Sequence, residues 1–143
     1  MTAMRNCYNF IMKKRIFYHD TDCGGVVYHG NYLKYFEEVR TEFLENLGYS
    51  VKGFMDMGIY FVVRSQSAEY LKPAFYDDTL EVKTRLASCS PVRMTFAYEI
   101  RNQHGILLTT GQTMLVSVGT DMKVKALTPE MLSKFKSAVS EKF

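Results

Sequence analysis

The sequence predicts an α+β domain in which a curled antiparallel sheet of about five strands packs on one long helix, with a second helix at the C-terminus. Three observations carry this expectation. Apolar residues recur at helical spacing through one long stretch only, from Asn31 to Leu47. Four strand-like segments follow it, two of them with clean alternation of apolar and polar residues. The strands come in a block, without helices between them, which argues against a parallel sheet.

A chain of 143 residues, 47% of them hydrophobic, can bury one sizeable core and is short for two domains. The domain is expected over 12–143. Met4 precedes the first patterned segment and Met12 stands at its start, so 1–11 reads as an N-terminal extension.

In chain order, a first strand is expected over Ile11 to Tyr18, and the Asp, Thr and Gly residues of His19 to Gly25 then favour a loop. The helix follows, with Leu33, Phe36, Phe43, Leu44 and Leu47 on its apolar face and Gly48 as its stop. Tyr60 to Tyr70 reads as a strand interrupted by Leu71-Lys72-Pro73-Ala74, because proline cannot donate to a ladder. Leu80, Val82, Thr84 and Leu86 form one face of the next strand, and Met94, Phe96, Tyr98 and Ile100 one face of the strand after it. Asn102 to Gly105 supplies a hairpin connection into a last strand within Ile106 to Thr120, bent at Gly111. Thr128-Pro129 then provides an N-cap and a first helical residue ahead of Met131, Leu132, Phe135 and Val139.

Composition excludes several classes. The 18 Lys and Arg exceed the 15 Asp and Glu by only three and form no stripe, so no nucleic-acid surface is indicated. Cys7, Cys23 and Cys89 are odd in number and lack C-x-x-C spacing, which fits a reducing, cytoplasmic setting better than a disulfide or zinc framework. No segment reaches the roughly 18 consecutive apolar residues of a membrane span, and the start lacks an export leader.

Chemistry-bearing residues concentrate in Tyr18 to Tyr32, just before the long helix. Glycines let a backbone approach a ligand closely, and the free amides of a helix start welcome an oxyanion. A carboxylate on such a loop would attack a carbonyl or take a proton from water. Asp before a helix is also a common cap, and that is the role expected of Asp20. His29 reads equally as a structural histidine or an orienting base. His19, Asp20, Asp22 and His29 have metal-ligand chemistry without a metal-site spacing, and no metal or other cofactor is expected. There is no G-x-S-x-G elbow, no G-x-G-x-x-G and no phosphate-loop lysine, and Cys23 is expected to be a small, semi-buried residue.

The motif Tyr18-His19-Asp20-Thr21-Asp22, with Gly24-Gly25-Val26-Val27-Tyr28-His29 and Asn31-Tyr32, resembles the 4-hydroxybenzoyl-CoA thioesterase-like family, especially its YbgC-type acyl-CoA thioesterases. The resemblance continues through Arg40-Thr41-Glu42, Gly48, Phe61-Val62-Val63-Arg64, Glu69-Tyr70, Pro73-Ala74 and Asp77 to Leu80. It implies a hotdog fold, in which the sheet wraps the long helix, and homo-oligomers, dimers or tetramers, with sites at subunit interfaces. It also implies hydrolysis of acyl-CoA or acyl carrier protein thioesters. Asp22 falls on the family's catalytic aspartate, and His29 on its nearby histidine and on the helix-start amide that polarises the carbonyl. Tyr28, Gly30, Asn31 and Arg64 are placed at the substrate. Because a thiolate leaves readily, attack and oxyanion stabilisation are the demanding parts, and one amide donor in a dry site contributes on the order of 3 kcal/mol.

Ser88 to Val92 lacks the basic cluster of the aromatic-acyl branch, so the resemblance carries over acyl chemistry without phosphate contacts, for which Arg93 is the nearest basic residue. Phe54, Met55, Met57, Tyr60 and Phe61 are of a type that lines an adaptable acyl pocket or simply fills core. A hotdog dehydratase would carry its His and carboxylate in a helical motif that is missing here. The reading from another class is a non-catalytic module that binds acyl carrier protein or lipid-synthesis partners.

Overall fold

The computed structural model describes residues 9–143. Its elements are β1 (Phe10–Arg15), a 3-10 turn (Tyr18–Asp20), α1 (Asn31–Asn46), α2 (Val51–Asp56), β2 (Tyr60–Tyr70), β3 (Thr79–Cys89), β4 (Arg93–Arg101), β5 (Leu107–Val118) and α3 (Pro129–Ser137). All strand pairings are antiparallel, and the sheet order is β1-β3-β4-β5-β2.

The first strand departs from expectation at both ends. It begins at Phe10, paired with Thr84, so Phe10 and Ile11 of the segment read as an extension belong to the sheet, while 1–8 lie outside the described residues. It stops at Arg15 because the Asp20 carboxylate accepts the Phe17 amide at 2.9 Å and curls the chain into the 3-10 turn. That is the cap role expected of Asp20.

Helix α1 lies where the periodicity places it, but tyrosines share its buried face: Tyr32, Tyr35, Phe36, Val39, Phe43 and Leu44 are buried, whereas Leu33 and Leu47 are only half-buried. Phe36 stacks on Tyr98 of β4 with ring centroids 4.1 Å apart, and Phe43 meets Phe96 edge-on at 5.4 Å. Tyr32 packs on Tyr70 of β2, and Lys14 of β1 lies over Tyr35. The sheet therefore closes around the helix from both edges.

The close approach of α1 to β5 depends on Gly111. A Cβ there would stand 2.6 Å from Cε2 of Phe36 and 2.8 Å from the Ser67 carbonyl oxygen. The glycine anticipated as a bend thus makes room for the helix. Gly111→Ala is expected to destabilise the fold by about 1–3 kcal/mol through overpacking, read as a lowered urea midpoint at unchanged m-value.

Helix α2 is absent from the sequence reading. It is six residues long and has Gly53 at its centre, too short for a periodicity to register. Its one legible signal is Ser50, whose hydroxyl accepts the Gly53 amide at 2.9 Å as an N-cap. Helix α3 starts as expected, with Thr128 Oγ1 accepting the Met131 amide and Pro129 in the first turn.

Candidate active site

Between the 3-10 turn and α1 the chain forms a tight hairpin. The Tyr28 amide donates to the Asp20 carbonyl at 3.0 Å, Thr21 bridges Val27, and the Asp22 amide donates to the Val26 carbonyl at 2.9 Å. The returning arm is tied down by Val27, whose amide donates to the Ala74 carbonyl at 2.9 Å, and by a bridge from Val26 to Phe75. Val27 itself is buried. The mobile-looking Asp-Thr-Gly composition therefore encodes a fixed turn with both arms anchored.

Asp22 sits exposed at the tip. One carboxylate oxygen accepts the Gly24 amide at 2.8 Å, and no cation pairs with the group among the described residues. The turn thus holds the carboxylate in place through one oxygen and leaves the other open.

The returning arm delivers His29 and Gly30 to the head of α1. The Asn31 amide is taken by the Tyr28 carbonyl at 2.9 Å and the Tyr32 amide by the His29 carbonyl at 3.3 Å, while the amides of His29 and Gly30 have no hydrogen-bond partner among the described residues. These are unsatisfied donors at the positive end of a 16-residue helix. The His29 ring packs 4.5 Å from Tyr28 and edge-on to Tyr70 at 6.0 Å. It borders a groove of about 240 Å³ with Val26, Tyr32, Tyr70, Lys72 and Pro73.

Gly30 is explained by Tyr28, since a Cβ at position 30 would stand 2.6 Å from Cε2 of that ring. Asn31 holds the backbone together: its side-chain amide donates to the Asp20 carbonyl at 2.8 Å, alongside the Tyr28 amide. One carbonyl thereby clamps the hairpin base to the helix. Beneath it the Tyr35 hydroxyl is buried, and burial followed by the nearby Asp20 carboxylate holds its pKa above the ordinary tyrosine range.

Asp22, Tyr28, His29, Gly30 and Asn31 thus share one hairpin and helix start. Arg64 does not join them within one chain. It is exposed in β2, at the bulge between Val63 and Ser65, six residues and about 20 Å along the strand from Tyr70. Tyr70 and Lys72 were missed as groove residues, because in sequence they marked only the end of a strand. Cys23 is exposed, correcting the semi-buried expectation, since it lies at the tip of the hairpin, where 22–25 are all exposed. Burial pushes the Cys89 thiol up to about 11. At pH 8 iodoacetamide is therefore expected to alkylate Cys23 well before Cys89, as peptide mapping would show.

A sheet curled round one central helix is the hotdog architecture that the resemblance implies, and likeness to known proteins makes the chain a thioesterase of that fold. Residues 18–135 match the thioesterase-like superfamily, and the chain belongs to it. It is 37% identical over 123 residues to the acyl-CoA thioester hydrolase YbgC of Escherichia coli O6:H1, covering 85% of this chain and 92% of that one. It is 33% identical over 128 residues to the acyl-CoA thioesterase YbgC of Haemophilus influenzae, covering 88% and 93%. Among solved structures it resembles a DHNA-CoA thioesterase from Staphylococcus aureus, with a TM-score of 0.86 and 33% identity over 90% of this chain and 89% of that one.

Proposed function

We propose that this chain hydrolyses acyl-CoA thioesters, with Asp22 driving attack on the carbonyl carbon and the His29 amide receiving the developing oxyanion. The observation that carries this reading is the pairing, on one anchored hairpin, of an exposed carboxylate free of cations with unsatisfied amides at the head of α1. The carboxylate supplies electron density to the acyl carbon, directly or by deprotonating water. The amide, already oriented, stabilises the charge that moves onto the carbonyl oxygen. Collapse then expels the CoA thiolate, which takes up a proton; on the water route the acyl group is released as the free acid, and on the direct route a water then hydrolyses the acyl anhydride on Asp22 to the free acid and restores the carboxylate. The exposed His29 ring, beside Tyr28 and Tyr70, orients the thioester in the groove.

Acyl carrier protein thioesters present the same pantetheine-linked bond and belong to the same substrate class. The edge of β2, unpaired among the described residues, supports a homodimer, and back-to-back pairing of dimers would complete a tetramer. The free thiols of Cys23 and Cys89 support a cytoplasmic setting, and no helix of the described residues is long and apolar enough to cross a membrane.

The test is thiol release from a panel of short, long and aromatic acyl-CoAs, with acyl carrier protein thioesters beside it. Turnover of at least one class supports the reading, and none from any member overturns it. Asn31→Ala is expected to lower kcat about tenfold to a hundredfold with a smaller change in KM, because losing the clamp on Asp20 shifts the hairpin relative to the α1 amides. A KM change at constant kcat would instead indicate that Asn31 binds the substrate.

A further inference from the structure

Large aromatic side chains stand exposed where two segments meet beside the Asp22 hairpin: Phe17 and Tyr18 at the 3-10 turn, and Phe75 and Tyr76 on the stretch after Pro73. The backbone joins these segments, since the Ile16 amide donates to the Asp78 carbonyl at 2.8 Å and the Asp77 amide to the Ile16 carbonyl at 3.0 Å. Each segment is also fixed by itself. The Tyr18 carbonyl accepts the amide and the hydroxyl of Thr21, at 3.0 and 2.6 Å, and the Asp78 carboxylate accepts the Phe75 amide at 2.9 Å. Anchored backbone therefore holds the rings out in solvent. Single apolar residues are ordinary on a surface, whereas a contiguous exposed group marks a binding surface.

The rings differ in what they leave open. Phe17 is flanked by the Arg15 guanidinium at 5.3 Å and by the nearly parallel His19 ring at 5.9 Å. Tyr18, 80% exposed, and Tyr76, 55% exposed, meet edge-on at 6.0 Å, so their rings stand at right angles with open faces. A flat heteroaromatic ring can stack on one of them while its edge meets the other.

This corner is continuous with the groove beside His29. Tyr70 to Pro73 border that groove, Ala74 takes the Val27 amide and Phe75 bridges Val26, so the chain runs along the hairpin's returning arm from the groove to Tyr76. The six residues from Tyr70 to Tyr76 reach at most about 20 Å, the order of a pantetheine arm. Lys72 lies between them, exposed and in no ion pair among the described residues.

We propose that Tyr18 and Tyr76 form the subsite for the adenine ring of the substrate's CoA, with Lys72 meeting its phosphates and the thioester lying at the His29 amide. The inference rests on the thioesterase reading above and adds how the carrier is recognised, by stacking at its nucleotide end. A planar base gains from a π-face what an alkyl chain does not, and loss of one stacking partner costs about fivefold to a hundredfold in binding.

The experiment presents one acyl group, the best of the panel above, on CoA and on pantetheine, which carries the same thioester without the nucleotide. The full-length wild type should prefer the CoA form, and in Tyr76→Ala the ratio of the two kcat/KM values should fall at least about fivefold, through KM. Tyr76→Phe, which keeps the ring face, should keep the wild-type ratio. Tyr18→Ala should lower the ratio as Tyr76→Ala does, which gives a second reading should either variant fold poorly. A wild type that turns over both forms equally, or a ratio unchanged by both alanine variants, overturns the proposal and leaves the thioesterase reading standing. A Tyr76→Phe variant as impaired as Tyr76→Ala overturns it too, because the hydroxyl and not the ring face would then be at work. A wild type inactive on both forms overturns both readings.

Discussion

Asp22→Asn is expected to lower kcat/KM for acyl-CoA hydrolysis by about 10³-fold or more, while stability stays within about 0.5 kcal/mol of wild type. The separation of the two effects follows from the geometry. Asp22 is exposed, its backbone bonds to Val26 and Gly25 are unaffected by the change, and the bond its side chain accepts from the Gly24 amide can be kept by the asparagine carbonyl oxygen. What asparagine cannot supply is the negative charge that the proposed mechanism uses to attack the acyl carbon or to take a proton from water. Matched thermal unfolding and thiol-release assays check both halves. A variant that retains more than a tenth of wild-type turnover would remove Asp22 from the reaction.

Phe36→Ala should have the largest effect on stability, a loss of about 3–5 kcal/mol, against the 5–15 kcal/mol that holds a typical domain together. Phe36 is 0% exposed, stacks on Tyr98, and fills the space that Gly111 leaves open, so truncation leaves a cavity under the centre of the sheet. Equilibrium urea unfolding gives the value. The pairing can be checked separately: combining Phe36→Ala with Gly111→Ala should cost less than the sum of the two, because the smaller side chain relieves the overpacking. Strict additivity would show that the two residues do not share one packing constraint.

The strands and both longer helices were readable because their signals are local. Alternation over Leu80 to Leu86 and Met94 to Ile100, and the Thr128-Pro129 start of α3, depend on near neighbours in sequence, and the structure has β3, β4 and α3 there. Helix α2 escaped because two turns with a central glycine carry little periodicity. The end of β1 was misplaced because Phe17 and Tyr18 have high strand propensity, which a single bond from the Phe17 amide to the Asp20 carboxylate overrides.

For the site, residue types and spacing marked the hairpin from Tyr18 to Tyr32, and resemblance singled out Asp22 and His29 within it. Neither could assign the work of Asn31, which depends on the Asp20 carbonyl eleven residues earlier, or bring Tyr70 against His29. By itself the sequence determined the order of elements, the buried face of the long helix and the stretch where chemistry is concentrated, since each is written in neighbouring residues. Only the tertiary structure decided which amides stay unpaired, which glycine admits the helix and which strand edge is left open. Those properties arise from contacts between distant segments, where a hydrogen bond made or withheld changes what a residue can do.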